Sequence, residues 1–240
     1  MQIYVDPFIG GYRAVTGTDT ATTADRFLKL SGASFTQTLY SPVGNAGRRI
    51  RVKHTGTSLS QVYTISGTGL SGVALYTNGE TWEFESDGTN WIITNHYYST
   101  AWTAYTPTLG AGFGSATNIS YFWRRTGDDM EVRGTHTNGT VAASLASVSL
   151  PSGASLDTAK ISINNSTAAA GMRIGLGWGN GAANSYCPIV TAPSTSTTLV
   201  YCGNVISGTN THIPGNGSGP FSSSAVTSLT FSAPISGWLA

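Results

Sequence analysis

The sequence predicts an all-β protein made of short antiparallel β-domains in series, sandwich-like or jelly-roll-like. Three observations carry that prediction. Apolar and polar residues alternate with a period of two along most segments, which is the signature of half-buried strands. Asn78-Gly79, Asp87-Gly88, Asn138-Gly139, Asn180-Gly181 and Asn216-Gly217 punctuate the chain, and such pairs favour the positive φ of tight hairpin turns. The 240 residues include 30 glycines and abundant Ser and Thr, yet 40% are hydrophobic, far above the disordered range. No segment combines an N-cap, a helical apolar stripe and a C-cap over three turns.

Residues 1–20 read as an extended arm, because Pro7 and Gly10-Gly11 resist regular structure. "MQIYVDPFIGG" has neither the basic nor the apolar region of a signal peptide. A first β-domain is expected over 21–98, with a short helical turn allowed near "TTADRFLKL". In "RRIRVKH", Arg49, Arg51 and Lys53 point one way while Ile50, Val52 and His54 point the other. In "TWEFESD", Trp82 and Phe84 oppose Glu83, Glu85 and Asp87. A basic and an acidic face of this kind neutralise one another if the strands pair, within a sheet or between subunits.

Alternation breaks over 99–110, where Pro107 and spaced glycines suggest a linker, and a second β-domain is expected over 111–240. "NISYFWRRTGDDMEVRGTHTNGTVAASLASVSLP" parses as three strands joined by two hairpins, with "TGDD" and "TNG" as the turns. Tyr121, Trp123 and Arg125 share one face, and Glu131 and Arg133 lie opposite Met130 and Val132. The glycine-rich "TLGAGFGSAT" and "GLGWGNGAANS" lack phosphate-loop spacing and read as flexible or closely packed loops.

The chemistry such residues allow is narrow. A net charge of +1 with 10% charged residues argues against nucleic acid and against an anionic membrane. No apolar run approaches the roughly 20 residues that span a bilayer. Asp128 and Asp129 are adjacent, so they diverge, and nearby arginines lower their pKa values, which is wrong for a general acid. His136 has no nucleophile in an elbow context, the four histidines form no ligand pair, and no motif calls for a metal or cofactor. The stretch from Tyr121 to Val141 therefore reads as scaffold and the protein as no enzyme. Cys187 and Cys202 follow tyrosines on segments able to pair, and without an export signal they read as reduced thiols.

Residues 174–240 contain no Lys, Arg, Asp or Glu, yet carry Trp178, Tyr186, Tyr201, Phe221, Phe231 and Trp238. Aromatic rings set among Asn, Ser and Thr suit sugars, and equally suit a core. "GLGWGNGAANSY" concentrates that composition, so Trp178, Asn180, Asn184 and Tyr186 are the candidate receptor-binding residues. Binding confined to such a charge-free region would be nearly independent of salt.

Two segments carry a resemblance to a known family. Residues of about 21–98, from "TATTADRFLKLSGASFTQTLYSP" through "NAGRRIRVKHTGTS" and "VYTIS" to "ALYTNGETWEFESDGTNWIIT", resemble a module of bacteriophage tail-fibre and other virion appendage proteins. Residues of about 102–163, "WTAYTPTLGAGFGSATNISYFWRRTGDDMEVRGTHTNGTVAASLASVSLPSG", also resemble phage fibre domains. The resemblance implies a homotrimer on the virion, with the N-terminal arm attached to another virion protein and the distal end meeting the host. A chain rich in Ala, Gly and isolated aromatics gains from burying further surface between subunits. The implied function is a short fibre attaching to a host surface polysaccharide. The alternative is a capsid decoration, head-fibre or connector protein with a purely structural role. A tailspike-like depolymerase fits less well, since such enzymes use longer repetitive β-helices and clustered carboxylates.

Overall fold

Strands make up 51% of the computed structural model, about twice the share in an ordinary globular domain. Residues 11–161, 172–179, 185–192, 196–205, 212–214 and 221–238 are described. Among them the only helical element is the 3₁₀ turn Ala111–Phe113. The protein is all-β. The chain divides into two compact units, Met1–Ser99 and Thr100–Ala240.

The first unit holds β1 (Tyr12–Val15), β2 (Asp19–Thr20), β3 (Phe27–Leu30), β4 (Phe35–Thr38), β5 (Arg49–His54), β6 (Tyr63–Ser66), β7 (Ala74–Leu75), β8 (Thr81–Ser86) and β9 (Trp91–Tyr97). They form a five-stranded sheet in the order β1-β3-β5-β8-β9 and a four-stranded sheet in the order β2-β4-β6-β7. The expectation of purely antiparallel domains fails here. β1, β3 and β5 are parallel, as are β2, β4 and β6, and only β7, β8 and β9 pair antiparallel. The chain alternates between the sheets, so each return to a sheet runs in the same direction, and the other sheet's strand serves as the crossover. Leu28, Leu30, Ile50, Val52, Trp82, Phe84 and Trp91 face Leu39, Tyr40, Tyr63, Ile65 and Leu75 in one buried core.

Residues 11–20 of the expected extended arm carry β1 and β2. Arg13 on β1 bonds Asp19 at 2.6 Å and grips Asp25 through Nε and Nη2, each at 3.0 Å. That fork fastens β1 and β2 into the two sheets, a long-range tie that no local pattern announces. Residues 1–10 lie outside the described residues.

The opposed charge faces do meet. β5 and β8 pair with Arg49 opposite Glu85 and Arg51 opposite Glu83. Both couples are ion pairs, the first at 2.6 Å. Asp87 differs from expectation, since its carboxylate accepts the N–H groups of Thr89 and Asn90 and shapes the turn before β9. Reversing Arg49 and Arg51 to Glu should destabilise the unit, and adding Glu83→Arg and Glu85→Arg should recover part of the loss. Partly exposed pairs contribute about 0.2–1 kcal/mol each. Denaturant melts of the four-way cycle check this, and strict additivity would disprove the coupling.

The second unit holds β10 (Thr103–Tyr105), β11 (Thr117–Thr126), β12 (Asp129–Thr137), β13 (Ser147–Ser149), β14 (Arg173–Gly179), β15 (Ser185–Ala192), β16 (Ser196–Val205), β17 (His212–Pro214) and β18 (Val226–Pro234). These strands pair antiparallel in the order β10-β11-β12-β18-β14-β15-β16-β13, with β17 on β16. The two ends of the sheet come back together. Gly110 donates its N–H to Ser147 at 2.8 Å, Ser149 donates to Thr108 at 3.0 Å, and Leu109 bridges Val148. The inner wall gathers Tyr121, Arg125, Met130, Val132, His136, Cys187, Ile189, Cys202, Leu229, Phe231 and Ala233, all buried. Cys187 and Cys202 are free thiols, and burial raises the Cys202 pKa.

Three expectations are corrected in this unit. Residues 103–105 of the expected linker form β10, which pairs with β11. The "TGDD" hairpin forms, but "TNG" does not turn β12 into β13. β12 takes β18 as its other neighbour, and β13 pairs with β16. Asn138 is instead a buried clasp, donating to the Ser222 carbonyl at 3.1 Å and accepting the Thr227 hydroxyl at 3.1 Å. Finally, "RIGLGWG" is no loop but strand β14. Gly177 faces inward, where an added Cβ would sit 2.6 Å from Leu229 and 2.7 Å from Cys187.

Candidate functional site

Strand pairing lines up the outward side chains of four strands in the second unit. One row runs Phe122, Arg133, Thr230, Leu176 across β11, β12, β18 and β14. The next row toward the β11–β12 turn is Arg124, Glu131, Ser232. On the other side lies the row Ser120, Thr135, Ser228, Trp178. The inward residues between them are the buried core, so period-two alternation puts these on the outer face.

This face is grooved. One depression of about 530 Å³ is lined by Trp102, Glu131, Arg133, Leu176, Thr230 and Ser232, among others. A second, of about 290 Å³, adjoins it at Arg133 and runs along Phe122, Thr135 and Ser228. The Trp102 ring anchors one end, with the guanidinium of Arg133 4.1 Å and that of Arg124 4.6 Å from its centroid. Arg133 also lies 6.0 Å from the Phe122 centroid. Arg124 is held by Glu131 at 2.6 Å. Leu176 is 42% exposed, between Thr230 on β18 and Pro188 on β15.

No protein-family model, curated protein or solved structure matches this chain.

Of the residues named from sequence, Trp178 stands half-buried on β14, two residues along from Leu176 and so roughly 7 Å away on the same face. Its Cα partners are Ser228 and Tyr186, and the side chain of Tyr186 lies outside what is described. Asn180 and Asn184 lie outside the described residues. Tyr201, Phe221, Phe231 and Trp238 are core residues, each under 5% exposed. Sequence reasoning missed Trp102, assigned to a linker, and Arg133, assigned to scaffold. β18 joins them to Trp178, so charged side chains share the outer face with the charge-free segment.

Several carboxylates elsewhere among the described residues are engaged. Glu80 is fully buried, accepts the N–H groups of Tyr76 and Thr77, and meets His96 at 2.8 Å. Asp128 takes Lys160 at 2.5 Å, and that bond lowers its pKa below the ordinary carboxylate range. A hydrogen bond from Arg13 lowers Asp19. Burial alone would raise Asp25, but the bonds from Arg13 and Thr22 outweigh it. Among the described residues no three His, Cys, Asp or Glu side chains converge as a metal-binding set.

Proposed function

We propose that the chain is a non-enzymatic bacteriophage virion protein, a short homotrimeric fibre that attaches to a host surface polysaccharide. The observation that carries the attachment is the outer face of β11-β12-β18-β14. It sets aromatic planes at Trp102, Phe122 and Trp178 beside a ladder of hydroxyls at Thr135, Ser228, Thr230 and Ser232, the chemistry that holds a sugar by stacking and hydrogen bonding. The fibre resemblance of both segments supports the virion context. The bonds that lower the pKa values of Asp19, Asp25 and Asp128 are wrong for a general acid at those three positions. Self-association is supported by β9, an edge strand with Ile92 49% and Ile93 42% exposed, an edge open to pairing with another copy.

Light scattering on the purified chain is expected to give about three times 24.9 kDa. Pre-incubating host cells with that trimer should block phage adsorption, and Trp178→Ala should remove the block while the melting temperature stays within a few degrees. A monomer at micromolar concentration would end the fibre reading. A large fall in melting temperature would make Trp178 a structural residue instead.

A further inference from the structure

We propose that the Arg133–Trp102 corner of this face binds the carboxylate of an acidic sugar, a hexuronate unit of the polysaccharide. The proposal rests on the attachment reading above and names its ligand class. The two arginines against the Trp102 ring differ in one respect. Arg124 is already neutralised by Glu131 at 2.6 Å. Arg133 is exposed and has no carboxylate partner among the described residues, while its guanidinium carbon lies over the Trp102 ring, 4.1 Å from the centroid. A ring over the guanidinium carbon restrains it without using its N–H groups, so its two-pronged donor stays available to the groove that Arg133 lines. A carboxylate matches that fork, and ordering its partner in advance lowers the entropy lost on binding.

The neighbours of Arg133 complete a sugar-sized site. Thr230 lies directly across β18 and offers a hydroxyl, with Ser228 and Ser232 one step either side. Leu176, across from Thr230, supplies an apolar floor for a ring face. A neutral sugar would use the hydroxyls and the floor but leave the Arg133 fork unmatched. A nucleic acid would need a row of cations, and β18 and every residue after Arg173 carry none.

Sodium glucuronate and glucose, titrated separately into the full-length protein, are the probes. Heteronuclear NMR should show the Trp102 indole and Arg133 Nε signals moving with glucuronate in the millimolar range, and not with glucose. Added sodium chloride should weaken the response. Arg133→Gln should abolish it, and Arg133→Lys, which keeps the charge but loses the fork, should weaken it about tenfold. Equal responses to both sugars, no response at Trp102, or an unchanged titration in Arg133→Gln would each overturn the proposal. If Arg133→Gln instead changes the oligomeric mass, the face lies between copies of the chain and the proposal also falls. Adsorption separates this outcome from the broader reading. Blocking that survives Arg133→Gln leaves attachment standing and removes the acidic sugar, whereas a wild-type protein that never blocks removes both.

Discussion

Acidification from above pH 6.5 to about 4 is expected to destabilise the second unit by roughly 3 kcal/mol through one side chain, His136. His136 is 1% exposed on the inner wall, shares a 2.9 Å hydrogen bond between Nδ1 and the Tyr121 hydroxyl, and packs edge-on against Phe113 at 4.5 Å. Burial pushes its pKa from 6.5 down to about 4, an effect that the Asn138 side chain only partly offsets. The folded state therefore prefers the neutral ring, and the unfolded chain binds the proton first. Stability is fully present above pH 6.5 and is lost progressively as pH falls to about 4. Burial lowers His54 in the first unit in the same direction. Asp19, Asp25 and Asp128 act in a lower window, since their depressed pKa values cost stability only as pH falls below 3.8. The His136 ring signals, followed by NMR, should titrate near pH 4, and denaturant midpoints should decline over the same interval. A ring titrating near 6.5, or midpoints flat down to pH 4.5, would show that charging His136 is not what acid does. His136→Gln should flatten the upper window and leave the carboxylate window in place.

Local rules predicted the parts of the fold that local chemistry decides. Alternation in "RRIRVKH" and "TWEFES" placed Arg49, Arg51, Glu83 and Glu85 on matching faces, and the β5–β8 register joins them. Turn chemistry at "TGDD" placed the β11–β12 hairpin, where Thr126 and Asp129 pair around Gly127 at φ 66°. What escaped is non-local. The parallel course of β1, β3 and β5 depends on which sheet each loop returns to, a choice written in Arg13–Asp25 and in core packing rather than in any short window. The insertion of β18 between β12 and β14 pairs Arg133 with Thr230, partners far apart in the chain. That insertion also hid the candidate site. Trp178 stood out as an aromatic among amides, but Arg133 looked like part of a charged hairpin and Trp102 like part of a linker until one sheet placed them on one face. Glycine misled in β14, where it marks a strand pressed against Leu229 and Cys187 rather than a loop.

Gly134→Val is expected to cost the second unit about 3 kcal/mol or more, at the upper end of overpacking losses. Gly134 lies on the inward side of β12, and its Cα partner on β11 is Tyr121. The Tyr121 ring lies across the bare glycine backbone, so any Cβ at 134 would fall inside the ring's van der Waals envelope. An aromatic laid over a strand glycine recovers the packing that the missing side chain forfeits. Tyr121 has no easy retreat. It is 1% exposed, contacts Tyr105 edge-on at 6.0 Å, and is tied by its hydroxyl to His136. Moving the ring would break that hydrogen bond inside a dry wall, where an orphaned polar group costs about 1–3 kcal/mol. For a unit of this size the loss corresponds to roughly 10 °C in melting temperature. Thr135→Val, one residue on and facing outward, should change stability by under about 0.5 kcal/mol. The pair discriminates the mechanism from general β-propensity, because valine is favoured in a strand at both positions. Equal small effects at 134 and 135 would mean that the ring yields without cost. If the packing argument holds, adding Tyr121→Ala to Gly134→Val should lose less than the sum of the two single changes, since the first removes what the second collides with.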